Sequence, residues 1–156
     1  MFLLSNIKTP DTIAEISGYA MNNDAYQMVA PHPDGTMIEK CIKDTLKGHI
    51  PDLINAHATS TPMGDYIEID ALNRLGLQDV WVTANKSQIG HSMGSAGAIE
   101  TALSVLSLKN DVITPSLNIE ELEDGHNIKY TPITIPHEVN SVLCNSFGFG
   151  GANACI

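Results

Sequence analysis

Apolar residues along the chain fall into short runs whose period changes from segment to segment, with glycine, proline and asparagine marking the breaks. Residues 1–11 form a lead-in with a turn at Lys8-Thr9-Pro10-Asp11. Thr12 to Ala20 alternates well enough to predict a strand. Met21 to Gly35 is polar, carries Asn22-Asn23-Asp24 and Pro31-His32-Pro33-Asp34-Gly35, and reads as a long loop of the kind that often serves function. Over 36–48, Ile38, Cys41, Ile42, Thr45 and Leu46 share one face of a helix that Gly48 would stop. Asp52 to Ala56 reads as a short buried strand. Thr61 suits an N-cap with Pro62 in the first helical position, and the helix runs from Met63 to Leu75, before Gly76. Val80 to Ala84 is the next strand. Met93, Ala96, Ile99, Leu103 and Leu106 then recur at helical spacing, predicting a helix to about Lys109 with His91 just before or at its start. Asn110 to Pro136, with Pro115, Asn118, Gly125, Pro132 and Pro136, is irregular with room for short extended pieces. Val139 to Asn145 is a strand, Ser146 to Gly151 a glycine-rich turn, and Ala152 to Ile156 a last strand.

Strands alternating with helices predict an α/β domain with a mixed, mostly parallel sheet, closed by a hairpin-like pair. The loops carrying His57 and Lys86/His91 follow strand C-terminal ends, the edge of an open α/β sheet where ligands bind.

Length and composition narrow this picture. The 156 residues suit a single domain, 1–156, and 43% hydrophobic with 17% charged residues is a globular composition. A formal net charge of -10 argues against nucleic acid and against an anionic membrane surface. With 8 Lys plus Arg there is no obvious basic patch, so an acidic carrier protein would need a local one. Cys41, Cys144 and Cys155 are odd in number and contain no CxxC, which fits a reducing compartment better than a disulfide framework. Met1-Phe2-Leu3-Leu4 is too short for a signal-peptide core, and no run approaches a membrane span.

The chemistry concentrates in residues 85–100, where Lys86 and His91 occupy a strand-to-helix junction followed by a run of small residues and Glu100. A histidine near a helix start is biased towards its neutral form, which can donate one hydrogen bond to a developing oxyanion. Glu100, a carboxylate in an apolar helix, wants a partner, and Lys86 is the natural one. His57, with Thr59 and Thr61, lies on a loop that can reach the same edge as His91. The small run 94–98 can also be explained by close helix packing, and Asp65 and Glu68 by compensation of a helix dipole. No G-x-S-x-G motif is present, no ligand spacing supports zinc on His57, His91 and Cys144, and His32, His49, His126 and His137 read as surface or loop residues.

Asn55-Ala56-His57-Ala58-Thr59-Ser60-Thr61-Pro62-Met63-Gly64-Asp65, Asn85-Lys86-Ser87-Gln88-Ile89-Gly90-His91 and Asn145-Ser146-Phe147-Gly148-Phe149-Gly150-Gly151-Ala152-Asn153 together resemble the β-ketoacyl-[acyl-carrier-protein] synthases that use two histidines. The likeness runs from about Ala14 to Ala154 and includes Asp24-Ala25-Tyr26 and the Pro-His-Pro-Asp-Gly loop; its wording looks most like plastid members. The resemblance implies the C-terminal half of a thiolase-like fold. It implies decarboxylative condensation of malonyl-carrier with an acyl chain, in a plastid or bacterial cytoplasm. His57 and His91 would hold the malonyl thioester carbonyl, Lys86 would orient the site through Glu100, and Phe147 would gate the acyl pocket. Thr59, Thr61 and Phe149 would meet the substrate arm, the phosphopantetheine of acyl carrier protein. No metal or other cofactor is implied.

In such enzymes the nucleophilic cysteine sits at a strand-to-helix turn of the N-terminal half, a setting that none of Cys41, Cys144 and Cys155 has. Asn85 stands where a threonine is usual, Ser92-Met93 replaces a more apolar pair, and the final strand stops early at Ile156. The chain is therefore expected to need the N-terminal half or a homodimer partner. A truncated or non-catalytic subunit acting as an interaction module is the other expectation.

Overall fold

The computed structural model describes residues 2–120, 122 and 127–156. In chain order the elements are β1 (Ala20–Asn23), α1 (Thr36–Leu46), β2 (Leu53–Asn55), α2 (Pro62–Arg74), β3 (Trp81–Thr83), α3 (Lys86–Ile89), α4 (Ala96–Asn110), β4 (Val112–Ile113), β5 (Ile135–Pro136), β6 (Val142–Gly148) and β7 (Ala152–Cys155). Two 3₁₀ turns, Met93–Ser95 and Phe149–Gly151, join α3 to α4 and β6 to β7. Five strands form one sheet in the order β1-β7-β6-β2-β3, and β4 pairs with β5 apart from it. β6-β2 and β2-β3 are parallel, whereas β1-β7 and β7-β6 are antiparallel. The sheet is thus evenly mixed rather than mostly parallel, and its parallel half carries the loops with His57 and Lys86.

Strand alternation sorts the side chains to two faces. Ile54, Val82 and Leu143 join Ile38, Cys41 and Ile42 of α1 and Ile67, Ala71 and Leu72 of α2 in the main core. On the other face Asn55 Nδ2 donates to the Glu100 carbonyl (2.9 Å) and to Ser104 Oγ (3.0 Å), both in α4. A smaller apolar cluster of Leu53, Ile113 and Val139 closes the far end, with Trp81, Leu108, Ile135 and Val142 packed against it.

Several sequence expectations change here. Residues 12–19 form no strand; pairing begins at Ala20, opposite Cys155. Continued by one step, the antiparallel register sets Tyr19 opposite Ile156, and residues 12–18 pair with no strand among the described residues. The loop expected from Met21 instead starts after β1, and it is fastened to the glycine-rich turn. The Asp24 N–H donates to the Gly151 carbonyl (2.8 Å), the Gly150 N–H to the Met28 carbonyl (2.6 Å), and Asn153 Nδ2 to Asp24 Oδ1 (2.6 Å). A side chain at Gly151 (φ 74°) would stand 2.9 Å from Asp24 Cβ, so glycine permits the approach. α1 buries the expected Ile38, Cys41, Ile42 and Thr45, and Thr61 precedes α2 with Pro62 at its start. Thr61 makes no side-chain cap, however; its Oγ1 lies 3.3 Å from Thr59 Oγ1 instead. β6 starts at Val142, three residues later than expected, and runs to Gly148 through what was read as turn.

The largest reversal concerns α4. Its buried residues are Ala96, Glu100, Ser104 and Ser107. Of the apolar residues at helical spacing, Ala96 is buried, whereas Met93, Ile99 and Leu106 are 67%, 37% and 51% exposed. The period is helical, but beyond Ala96 the buried stripe falls one residue after the apolar one, because the sheet face beneath α4 presents Asn55, Cys144 and Ser146, which small and hydrogen-bonding residues suit. Of the small run, Gly97 does lie against the sheet, where a Cβ would be 3.1 Å from Ser146 Oγ, while Gly94 has open space around it. Gly125 and His126 lie outside the described residues. No helix among the described residues is long and apolar enough to cross a membrane.

Candidate active site

His57 and Ala58 leave the C-terminal end of β2, and their backbone is gripped from behind. Glu68, 3% exposed on α2, accepts the His57 N–H and the Ala58 N–H on separate carboxylate oxygens, each at 3.0 Å. Asn145 Nδ2 on β6 donates to the same carboxylate at 3.0 Å. Dipole compensation is therefore not what Glu68 does; it joins α2, β6 and the His57 loop. Burial, outweighing these three donors, raises its pKa. Beyond the clamp, Ala58 (φ 34°) and Ser60 (φ 63°) take left-handed backbone, which non-glycine residues hold only when their surroundings impose it. Thr59 and Thr61 share this loop.

The second loop brings His91 to His57, with ring centroids 5.6 Å apart and planes at 88°. Phe147 on β6 stacks edge-on against His57 at 5.8 Å. His91 is exposed and sits on the link between α3 and the 3₁₀ turn, five residues before α4 begins at Ala96, so it is not at the helix start. Lys86 opens α3, is 8% exposed, and donates to Glu100 Oε1 at 2.5 Å, the pairing expected from sequence. Burial raises the Glu100 pKa, with the Lys86 ammonium pulling against it. Phe149 is 75% exposed on its 3₁₀ turn, outside the contacts that join His57, His91 and Phe147.

Electrostatically these groups act on one another. Burial first, then the charges of Lys86 and His91, lower the His57 pKa from 6.5 to about 3. The ring is held neutral, so one ring nitrogen carries a proton it can share without bringing charge. Buried oxygens without a partner, Asn55 Oδ1, Glu100 Oε2 and Asn145 Oδ1, make the surroundings polar. Among the described residues, no three His, Cys, Asp or Glu side chains group as a metal site. All three cysteines are free and buried; burial pushes the Cys144 thiol up to about 11 and raises Cys155, chiefly through the neighbouring Cys41 thiol. Glu68, Asn145 and Asn85 escaped sequence reasoning, and only their place inside the motif stretches marked them.

The His57 shift gives stability a pH dependence. A base whose pKa falls on folding leaves the unfolded chain holding the extra proton, so its contribution is present above pH 6.5 and is lost as pH falls towards 3. Glu68 and Glu100, raised on folding, act with the opposite sign and lose stability as pH rises. Comparison with His57→Gln isolates the histidine. The stability of the wild type relative to this variant should drop by about 1–2 kcal/mol between pH 7 and pH 5 in denaturant titrations. A flat difference would show that the ring is not held neutral.

The mixed sheet with helices packed on both of its faces is the α/β arrangement of a thiolase-like fold. Residues 13–120 match the β-ketoacyl synthase C-terminal domain family, and the chain belongs to that family. It is 44% identical over 149 residues to 3-oxoacyl-[acyl-carrier-protein] synthase 1 of Haemophilus influenzae, covering 92% of this chain and 36% of that protein. It is 37% identical over 153 residues to synthase 2 of Vibrio harveyi, covering 92% and 37%. Among solved structures, a β-ketoacyl synthase from Burkholderia phymatum superposes with a TM-score of 0.85 at 27% identity, over 92% of this chain and 36% of that one. A type II polyketide ketosynthase, solved in complex with its acyl-carrier protein, gives 0.86 at 26% identity, over 92% and 37%. The chain thus spans a little over a third of the length of these relatives.

Proposed function

We propose that this chain supplies the two-histidine part of a 3-oxoacyl-[acyl-carrier-protein] synthase site acting in fatty acid synthesis. The observation that carries the reading is the neutral, half-buried His57 in ring contact with His91 and Phe147, beside the charged Lys86. A malonyl thioester carbonyl oxygen placed between the imidazoles accepts their N–H groups. The bond from the α-carbon to the carboxylate breaks, carbon dioxide leaves with that bond's oxygen-bearing carbon, and the electron pair passes into the enolate that those donors stabilise. The enolate carbon then attacks an acyl thioester on a cysteine of the N-terminal half. A carbon–carbon bond forms, the carbon–sulfur bond breaks, and the thiolate is freed. Phe147 gates the acyl pocket, and its backbone N–H serves the acyl oxyanion. Thr59, Thr61 and Phe149 meet the phosphopantetheine arm of acyl carrier protein, which delivers both substrates. The scheme needs no metal or further cofactor. The three free cysteines accord with a reducing compartment, bacterial cytoplasm or plastid.

The test mixes the purified chain with acyl- and malonyl-carrier protein, alone and with a separately expressed N-terminal half. Condensation is expected only in the mixture, with His57→Ala and His91→Ala each lowering the rate by ~10²–10³. Halves that associate yet form no product would overturn the reading. The burial of all three cysteines favours, in that event, a non-catalytic subunit that serves as an interaction module.

A further inference from the structure

Lys86 stands on a turn just past β3, the outermost strand of the sheet, and side chains hold that turn from outside. Thr83 Oγ1 lies 2.8 Å from Thr114 Oγ1, and the Thr114 hydroxyl donates to Asn85 Oδ1 at 3.0 Å. The Ala84 N–H donates to Ser116 Oγ (2.9 Å), and Gln88 Nε2 to the Pro115 carbonyl (2.8 Å) and, at 3.3 Å, to Asn85 Oδ1. Segment 114–117 is anchored in turn by the Ser116 N–H on the Thr131 carbonyl (2.8 Å).

Within this zipper Asn85 is singular. It is 2% exposed and directly precedes Lys86. Asparagine in this position ordinarily caps a helix with its side chain, yet no side-chain cap is made here. The turn is closed by backbone instead, with the Gln88 and Ile89 N–H groups donating to the Asn85 carbonyl. The side-chain oxygen instead accepts from Thr114, in another part of the fold, and more distantly from Gln88. A shorter residue could not bridge that gap, and the backbone next to Lys86 would lose its tie to Thr114.

We propose that Asn85 is a positioning residue: through Thr114 it fixes the backbone from which Lys86 reaches Glu100 and the histidine pair. The proposal rests on the reading of Lys86 as a member of the site, but its test requires no turnover, so a failed condensation assay does not bear on it. The rate at which an amine-acylating reagent modifies Lys86 is followed in the full chain by mass spectrometry. Thiol alkylation of buried Cys144 in the same samples reports general opening. Asn85→Ala and Thr114→Val should each speed Lys86 modification roughly tenfold or more, as a local opening does, with Cys144 alkylation unchanged. Thr114→Ser keeps the hydroxyl and should restore the slow rate, which keeps the test available where Asn85→Ala does not fold. Lys86 and Cys144 rates that rise together, or a Lys86 rate indifferent to all three changes, would overturn the proposal.

Discussion

Replacing Lys86 by methionine is expected to remove about 3–5 kcal/mol of folding stability at pH 7, the usual consequence of leaving one partner of a buried ion pair alone. The Lys86 and Glu100 side chains are 5% and 1% exposed, and Oε2 of Glu100 has no other hydrogen bond to fall back on. Without the ammonium, burial alone acts on the carboxyl and raises its pKa further. A carboxyl raised on folding contributes stability that is full below its unfolded value of 4.5 and is lost as pH rises. The deficit of the variant should therefore be largest at neutral pH and shrink as pH falls towards 4.5. The double variant Lys86→Met, Glu100→Gln removes both charges and should recover most of the loss, because a neutral pair of similar shape leaves no bare carboxylate. Denaturant unfolding at pH 7 and pH 5 measures all of this. A single-variant deficit below about 1 kcal/mol would mean that the ion pair contributes nothing beyond its packing.

Glu68→Ala should be comparably damaging, at about 3–5 kcal/mol, because one buried and two part-buried donors lose their acceptor together. The His57 and Ala58 N–H groups and Asn145 Nδ2 all end on this carboxylate. Each orphaned donor costs roughly 1–3 kcal/mol, less than additively where neighbours share the relaxation. Glu68→Gln keeps the shape and one acceptor oxygen but turns an amide towards a donor, so it should fall between wild type and alanine. The same substitution should separate the imidazoles of His57 and His91, visible as lost cross-peaks between their ring protons in NMR spectra. An alanine variant that melts like the wild type and keeps those contacts would show that the loop holds itself.

Glu68 also shows where sequence reasoning stops. Its spacing from Asp65 near a helix start has a sufficient local explanation, and its partners are 10, 11 and 77 residues away. No periodicity reports such a convergence. Lys86 and Glu100 were legible for the opposite reason: a lone carboxylate in an apolar helix calls for a cation, and one lay a short loop away. The histidines were legible as a pair because two strand ends in a parallel sheet segment deliver their loops to one edge. The phase of α4 was not, since hydrophobic spacing identifies an apolar face without saying what covers it. The strand expected at 12–20 failed on pairing: alternation describes a segment ready to join a sheet, while joining depends on what lies opposite.

The two faces of α4 answer to different masters. Inward, Glu100 and Ser104 are committed to Lys86 and Asn55, and almost any exchange there disturbs a hydrogen bond. Outward, Ile99 and Leu106 are 37% and 51% exposed. A substitution on the outer stripe therefore leaves those inward hydrogen bonds in place, whereas one on the inner stripe breaks them. One helix thereby keeps its polar commitments on one side and offers an apolar stripe on the other.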